Sequence, residues 1–488
     1  MRRALATLAL LVPALAAADP SDRIPPGEGE RLVLPAPPEA APTPHVGAVS
    51  PIIYLERCKG GCIIYKSGVD DAKTLHSSIP KGAATEYPMA EYENAAGQTG
   101  AAADAEWNEV VKCVREVYSP YAVQVTDVKP TATTYHTNVV AGVGADLGLT
   151  GVLGVSPGIG CSPVDNHITY TFASAHGGSG RTRVEHLCWT IAQETAHTYS
   201  LDHAYQFADG RSACNDPMTY RFDCGGQKFF RNEQATCGEN QPRPCYCGAN
   251  QNPHLTLLAT FGPGTPLTPP PTLSVTLPAM GAQISNGTAV VATAYSQRGV
   301  KTMELWLNGY KWGQAPGAAF GSAGQPQSTY SIPIPASVPD GVIDIVVKAK
   351  DDLDITTTAP TITVTKGAPC ATADTCADGQ RCDAGRCLWD PPVGEIGEAC
   401  TFSQYCLSGV CQGTADTTIC TQACIPGVAD SCPDPSYDCL EQSPGKGICW
   451  PKGAEDGNCL GCASAGSGAA PFAFAAFGLA FVLRRRRR

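Results

Sequence analysis

The stretch "IAQETAHTYSLDH", Ile191 to His203, gathers residues whose types and spacing could do chemistry. On a helix, Gln193 and His197 stand four apart and project from one face, with Glu194 beside them. His203 follows His197 by six residues, about 9 Å of axial rise if the helix ran on. It can join that face only if the chain turns back after about Tyr199. His186 lies eleven residues before His197, about 16 Å along the axis, and cannot replace a missing donor. The pattern is that of a zinc site with one strong ligand absent. His197 and His203 are the imidazole donors, and Gln193 is a weak or optional one, because an amide oxygen binds zinc less well than imidazole nitrogen. Glu194 sits where a general base for a metal-held water would sit.

The elements that must position these residues are legible upstream. "DAEWNEVVKCVREVY" places Trp107, Val110, Val111, Val114 and Val117 at helical spacing, and the strand-like "YAVQVTDV" follows. "HITYTFA", His167 to Ala173, alternates as another strand, and the second helix is expected from near Thr182. Helix, strand, strand and a helix bearing the site make a mixed α/β layout.

With Glu194, His197 and His203 in register, this stretch resembles the metzincin zinc-protease pattern H-E-x-x-H-x-x-G-x-x-H. "CNDPMTY" adds Met218 fifteen residues after His203, where such proteases carry a methionine turn, and Tyr220 two residues later. The resemblance covers residues 46–262 and implies an α+β metallopeptidase domain. It further implies that Tyr220 can join His197 and His203 on zinc while Glu194 activates the water that attacks a peptide bond. Two positions depart from the pattern. Gln193 stands for the first His, and Ser200 for the Gly at which the chain turns, a change that costs about 1 kcal/mol.

The remainder of the chain divides by composition. Residues 1–18 read as a secretory signal peptide, with Arg2 and Arg3 before a short apolar run and a small-residue site near Ala16 to Ala18. Residues 19–45 read as a Pro-rich linker or pro-segment, and 263–271, "PGTPLTPPP", as a second linker. Between 272 and 366 six short alternating segments suggest a β-sandwich, and "MELWLNGYKWG" resembles the hairpin of bacterial Ig-like surface modules. Presentation, plain spacing and carbohydrate binding are all open to it. Residues 370–449 hold twelve cysteines without His, which in an exported chain means a disulfide module of unreadable connectivity. Residues 450–488 end in an apolar helix over 463–483 and Arg484 to Arg488, long enough to span a membrane. With Cys459 and Cys462, this tail resembles the C-terminal sorting signal of myxobacterial surface proteins.

The 488 residues carry 24 cysteines and a net charge of -11, which argues for export and against nucleic acid as a partner. The expectation is thus a multidomain protein directed to the cell surface or outer membrane, and possibly released by processing of its tail. Its favoured activity is zinc-dependent hydrolysis of a protein or peptide substrate. The alternative is a catalytically inactive relative that acts in adhesion or recognition. Glu194 favours the first and Gln193 the second.

Overall fold

The computed structural model describes residues 30–33 and 49–452, apart from 133, 159, 209, 222–225, 318–327, 414–416, 425–430 and 444–445. The expected signal peptide, 1–18, and nearly all of the expected sorting tail, including 463–483, lie outside the described residues. Among those described, no helix is long and apolar enough to cross a membrane. The chain up to Leu388 forms one compact unit, and Trp389 onward a second.

The first unit is built around a mixed sheet. Its strands are β1 (Glu30–Val33), β2 (Ile52–Glu56), β6 (Gln124–Thr126), β7 (His136–Val140), β8 (Val152–Ser156) and β9 (Ile168–Thr171), in the order β1-β8-β9-β7-β2-β6. A small sheet of β3 (Cys62–Lys66), β4 (His76–Ser77) and β5 (Glu86–Met89) intervenes in sequence. Within the main sheet only the β8–β9 pairing is antiparallel. Alternation along the strands splits the core in two. Ile53, Leu55, Val125 and Val140 face helices α1 (Asp104–Tyr118) and α2 (Gly180–His197), while Tyr54, Val139, Val155 and Tyr170 face the small sheet. The α1 stripe of Trp107, Val110, Val111, Val114 and Val117 is buried as its spacing predicts, and Cys113–Cys188 bolts α1 to α2.

Two boundary expectations are revised. Residues 30–33, placed by composition in a linker or pro-segment, form β1 and pair in parallel with β8. The segment 263–271 is no free linker. Its Gly264 donates to the Pro120 carbonyl at 2.8 Å and Leu267 N–H donates to Ser119 Oγ at 2.9 Å, so it lies along the end of α1.

After α2 come β10 (Ala204–Phe207), β11 (Ala235–Cys237) and α3 (Pro253–Phe261), started by Asn252, whose side chain accepts from Leu255 N–H. A sandwich then forms from β12 (Thr272–Leu277), β13 (Gln283–Ile284), β14 (Ala289–Tyr295), β15 (Thr302–Leu307), β16 (Tyr310–Pro316), β17 (Ser328–Pro333), β18 (Gly341–Lys350), β19 (Thr356–Thr358) and β20 (Ile362–Lys366). Its sheets run β12-β14-β17 and β13-β20-β18-β15-β16, with β19 paired to β18. Val290, Ala292 and Ile332 of one sheet meet Met303, Leu305, Ile345 and Val347 of the other in a single core. All six segments expected from alternation are strands here.

The cysteine-rich region pairs 370–382 and 376–387, then 400–411 and 406–420, then 424–439 and 432–449. Each set of four links its first to third and second to fourth cysteine, so the region is a threefold repeat. The first repeat belongs with the sandwich: Arg386 pairs with Asp344 at 2.9 Å, and Asn308 donates to the Cys387 carbonyl.

Candidate metal centre

Helix α2 ends at His197, and the chain reverses just beyond it. Ser200 adopts φ +72°, Leu201 N–H donates to the Ala196 carbonyl at 3.3 Å, and Ser200 N–H to the His197 carbonyl at 3.2 Å. These two bonds close a Schellman turn with Ser200 at the left-handed position. The tolerance expected of Ser there holds, at a cost of about 1 kcal/mol. The reversal carries His203 back to His197, and their ring centroids are 4.7 Å apart. Tyr220 completes the cluster with its ring 4.4 Å from that of His203. Gln193, Glu194, His197 and Met218 are fully buried, and His203 and Tyr220 nearly so. His186 instead packs at a tilt against Trp189, their ring centroids 5.1 Å apart.

Both imidazoles are oriented from behind. His197 Nδ1 lies 2.7 Å from the Leu201 carbonyl, which can only accept, so Nδ1 carries a proton. His203 Nδ1 lies 2.8 Å from Glu239 Oε1, which likewise holds the ring through that nitrogen. Its Nε2 is buried and has no hydrogen-bond partner among the described residues. Such backing by a carbonyl or carboxylate is what fixes metal-binding histidines. The bond to His203, reinforced by Arg243 and opposed by burial, holds the Glu239 carboxyl well below the usual range.

Glu239 is held in turn. Arg243 donates to it at 2.7 Å and forks onto Asp202 at 2.6 and 2.9 Å, while Asp202 Oδ1 accepts His203 N–H at 2.7 Å. Cys237–Cys245 closes the loop that carries Glu239. Nothing in the local pattern of "CGENQPRPC" marks Glu239 as a partner of His203, because 36 residues separate them.

Glu194 packs under β8 at Gly154. A methyl group at position 154 would come 2.8 Å from Glu194 Cγ and Oε1 and 2.7 Å from Thr190 Cγ2. The glycine lets α2 approach the sheet and leaves space for the carboxylate. A glycine inside the apolar run "VLGVS" was its only sequence signal.

Met218 belongs to the same buried core as Ala196 and Tyr199, and its carbonyl accepts Ala204 N–H at 2.9 Å. The structure thus brings together the rings of His197, His203 and Tyr220, with Met218 two residues before Tyr220 in the core. It places Gln193 and Glu194 one turn earlier on the same buried stretch of α2. Two imidazoles held through Nδ1 and a nearby phenol are donor types that suit zinc.

No family model matches the chain, and no curated protein does. Among solved structures, a fibronectin(III)-like module of Clostridium thermocellum CbhA is 16% identical over 20% of this chain and 94% of its own, at a TM-score of 0.15. The Ig-like domain of mouse leukocyte-associated immunoglobulin-like receptor 1 is 12% identical over 19% and 92%, at 0.14. OgpA from Akkermansia muciniphila is 10% identical over 70% and 98%, at 0.19. Likenesses at this level carry no functional weight.

Proposed function

We propose that the chain is a secreted, surface-directed zinc metallopeptidase of metzincin type, presented by an Ig-like sandwich and a disulfide-stapled module. The observation that carries this reading is the turn at Ser200, which brings the His203 ring to 4.7 Å from that of His197, with Tyr220 at 4.4 Å from His203 and both imidazoles held through Nδ1. Tyr220 is the third donor, and Gln193 is optional. Zinc held there supplies Lewis acidity toward a peptide carbonyl and toward water. Glu194 Oε takes the proton from the attacking water and passes it to the departing amine. Burial of the whole cluster keeps competing solvent away and strengthens each electrostatic contact.

The disulfides of the described residues agree with export. One observation favours the other reading, an inactive adhesion or recognition protein: the first ligand position holds an amide.

Zinc titration of the full exported chain, followed by Glu194→Ala, tests the proposal. Zinc should bind at one site, and Glu194→Ala should abolish peptide cleavage while leaving zinc bound, because the carboxylate is a base and not a ligand. If His197→Ala and His203→Ala leave metal binding untouched, these side chains do not converge on zinc and the adhesion reading takes over.

A further inference from the structure

The segment that carries Met218 and Tyr220 is clamped at both ends by one carboxylate. Asp216, fully buried, accepts Met218 N–H on Oδ1 at 2.8 Å and Arg231 N–H on Oδ2 at 2.8 Å. The Arg231 side chain then leaves the α/β domain and enters the sandwich. Its Nη1 donates to the Arg298 carbonyl at 2.8 Å and lies 3.5 Å from Asp352 Oδ2. Arg298 forks onto Asp352 at 2.7 and 2.9 Å, and its guanidinium lies over the Phe229 ring at 4.5 Å. All of these charges are almost completely shielded from solvent, Arg298 entirely so.

We propose that Arg298 and Asp352 of the sandwich are positioning residues for the metal centre, acting through Arg231 and Asp216 on the turn that holds Met218 and Tyr220. This rests on the metal-site reading above. An apolar contact of equal size would join the two domains at least as firmly as a buried ion network. It would not set the place of the Arg231 backbone, from which Asp216 takes one of its two anchors. The sandwich is then part of the site, and not a spacer attached to it. Residues 46–262 alone would strand Arg231 without Asp352, so the isolated domain should bind metal poorly.

The test compares Arg298→Met, Arg298→Lys, Asp352→Asn and a control, Val347→Ala, in the full exported chain. Val347 lies in the sandwich core and takes no part in the network. Zinc binding is read by calorimetry, site geometry by the visible spectrum of bound cobalt, and loop order by amide exchange over residues 213–221. Arg298→Met should weaken zinc at least tenfold, alter the cobalt spectrum and speed exchange at 213–221. Arg298→Lys keeps the charge but loses the fork and should fall between. Asp352→Asn, which keeps the shape, covers the case in which Arg298→Met does not fold. Val347→Ala should lower thermal stability and leave zinc affinity unchanged. Unchanged zinc affinity and exchange in folded Arg298→Met and Asp352→Asn would overturn the proposal, as would an equal loss in Val347→Ala. Absence of zinc binding in the parent chain, with exchange at 213–221 still responding to Arg298→Met, would instead defeat the metal-site reading and leave only the mechanical link.

Discussion

At position 193 an amide occupies the helix face that His197 shares, and it is fully buried. Imidazole is close to it in size, so Gln193→His needs no movement of the backbone. Zinc affinity should rise at least tenfold, about 1.4 kcal/mol, and peptidase activity should rise with it; calorimetry on the folded protein checks the first. Tyr220→Phe in the parent chain should weaken zinc, since the phenol then supplies the third donor. The glycine packed against Glu194 gives a second expectation. Gly154→Ala would push a methyl into Glu194 and Thr190, and overpacking of that kind costs about 1–3 kcal/mol. Thermal melts should record the loss, and cleavage should fall further than stability alone explains because the base is displaced. A fully active, equally stable Gly154→Ala would show that the carboxylate is not held where we place it.

Elements act here as levers for the histidines. The end of α2 turns on Ser200 and hands Leu201 to His197, so one local turn both reverses the chain and sets a tautomer. The loop between Cys237 and Cys245 does the same for His203 from far away in sequence. Removing such an outer partner commonly costs 10–100-fold in metal affinity. Glu239→Ala should therefore weaken zinc by about that range, while the Arg243–Asp202 fork keeps the loop folded. A competition titration against a chelator measures it. Affinity within twofold of the parent would mean that the Cys237–Cys245 loop does not orient the site.

The whole molecule joins regions that resist stress by different means. The sandwich, 272–366, contains no cysteine and has its own apolar core. Among the described residues, the unit from Trp389 has four bridges and a buried cluster made of little but cysteines. Closing loops of this size is worth about 3 kcal/mol per bridge, the kind of staple on which small modules depend. Reductant should make residues 389–452 sensitive to protease while the sandwich stays intact, as mass spectrometry of the fragments would record. Protease resistance of 389–452 after full reduction would refute the stapling.

The sequence by itself determined what depends on near neighbours. Helical spacing from Trp107 to Val117, alternation in six sandwich strands and the i, i+4 placement of Gln193 and His197 are local, and each is realised. The return of His203 was also legible, because a motif encodes the turn that Ser200 makes at φ +72°. Tertiary structure alone decided the rest. Glu239 behind His203, Gly154 against Glu194, the pairing of residues 30–33 with β8 and the reach of Arg298 toward the Met218 turn all join segments far apart in the chain. Such contacts leave no periodicity at either end. Their partners are chosen by which strand edge, buried acceptor or gap the packed sheet and helices happen to present, and that choice exists only once the core has formed.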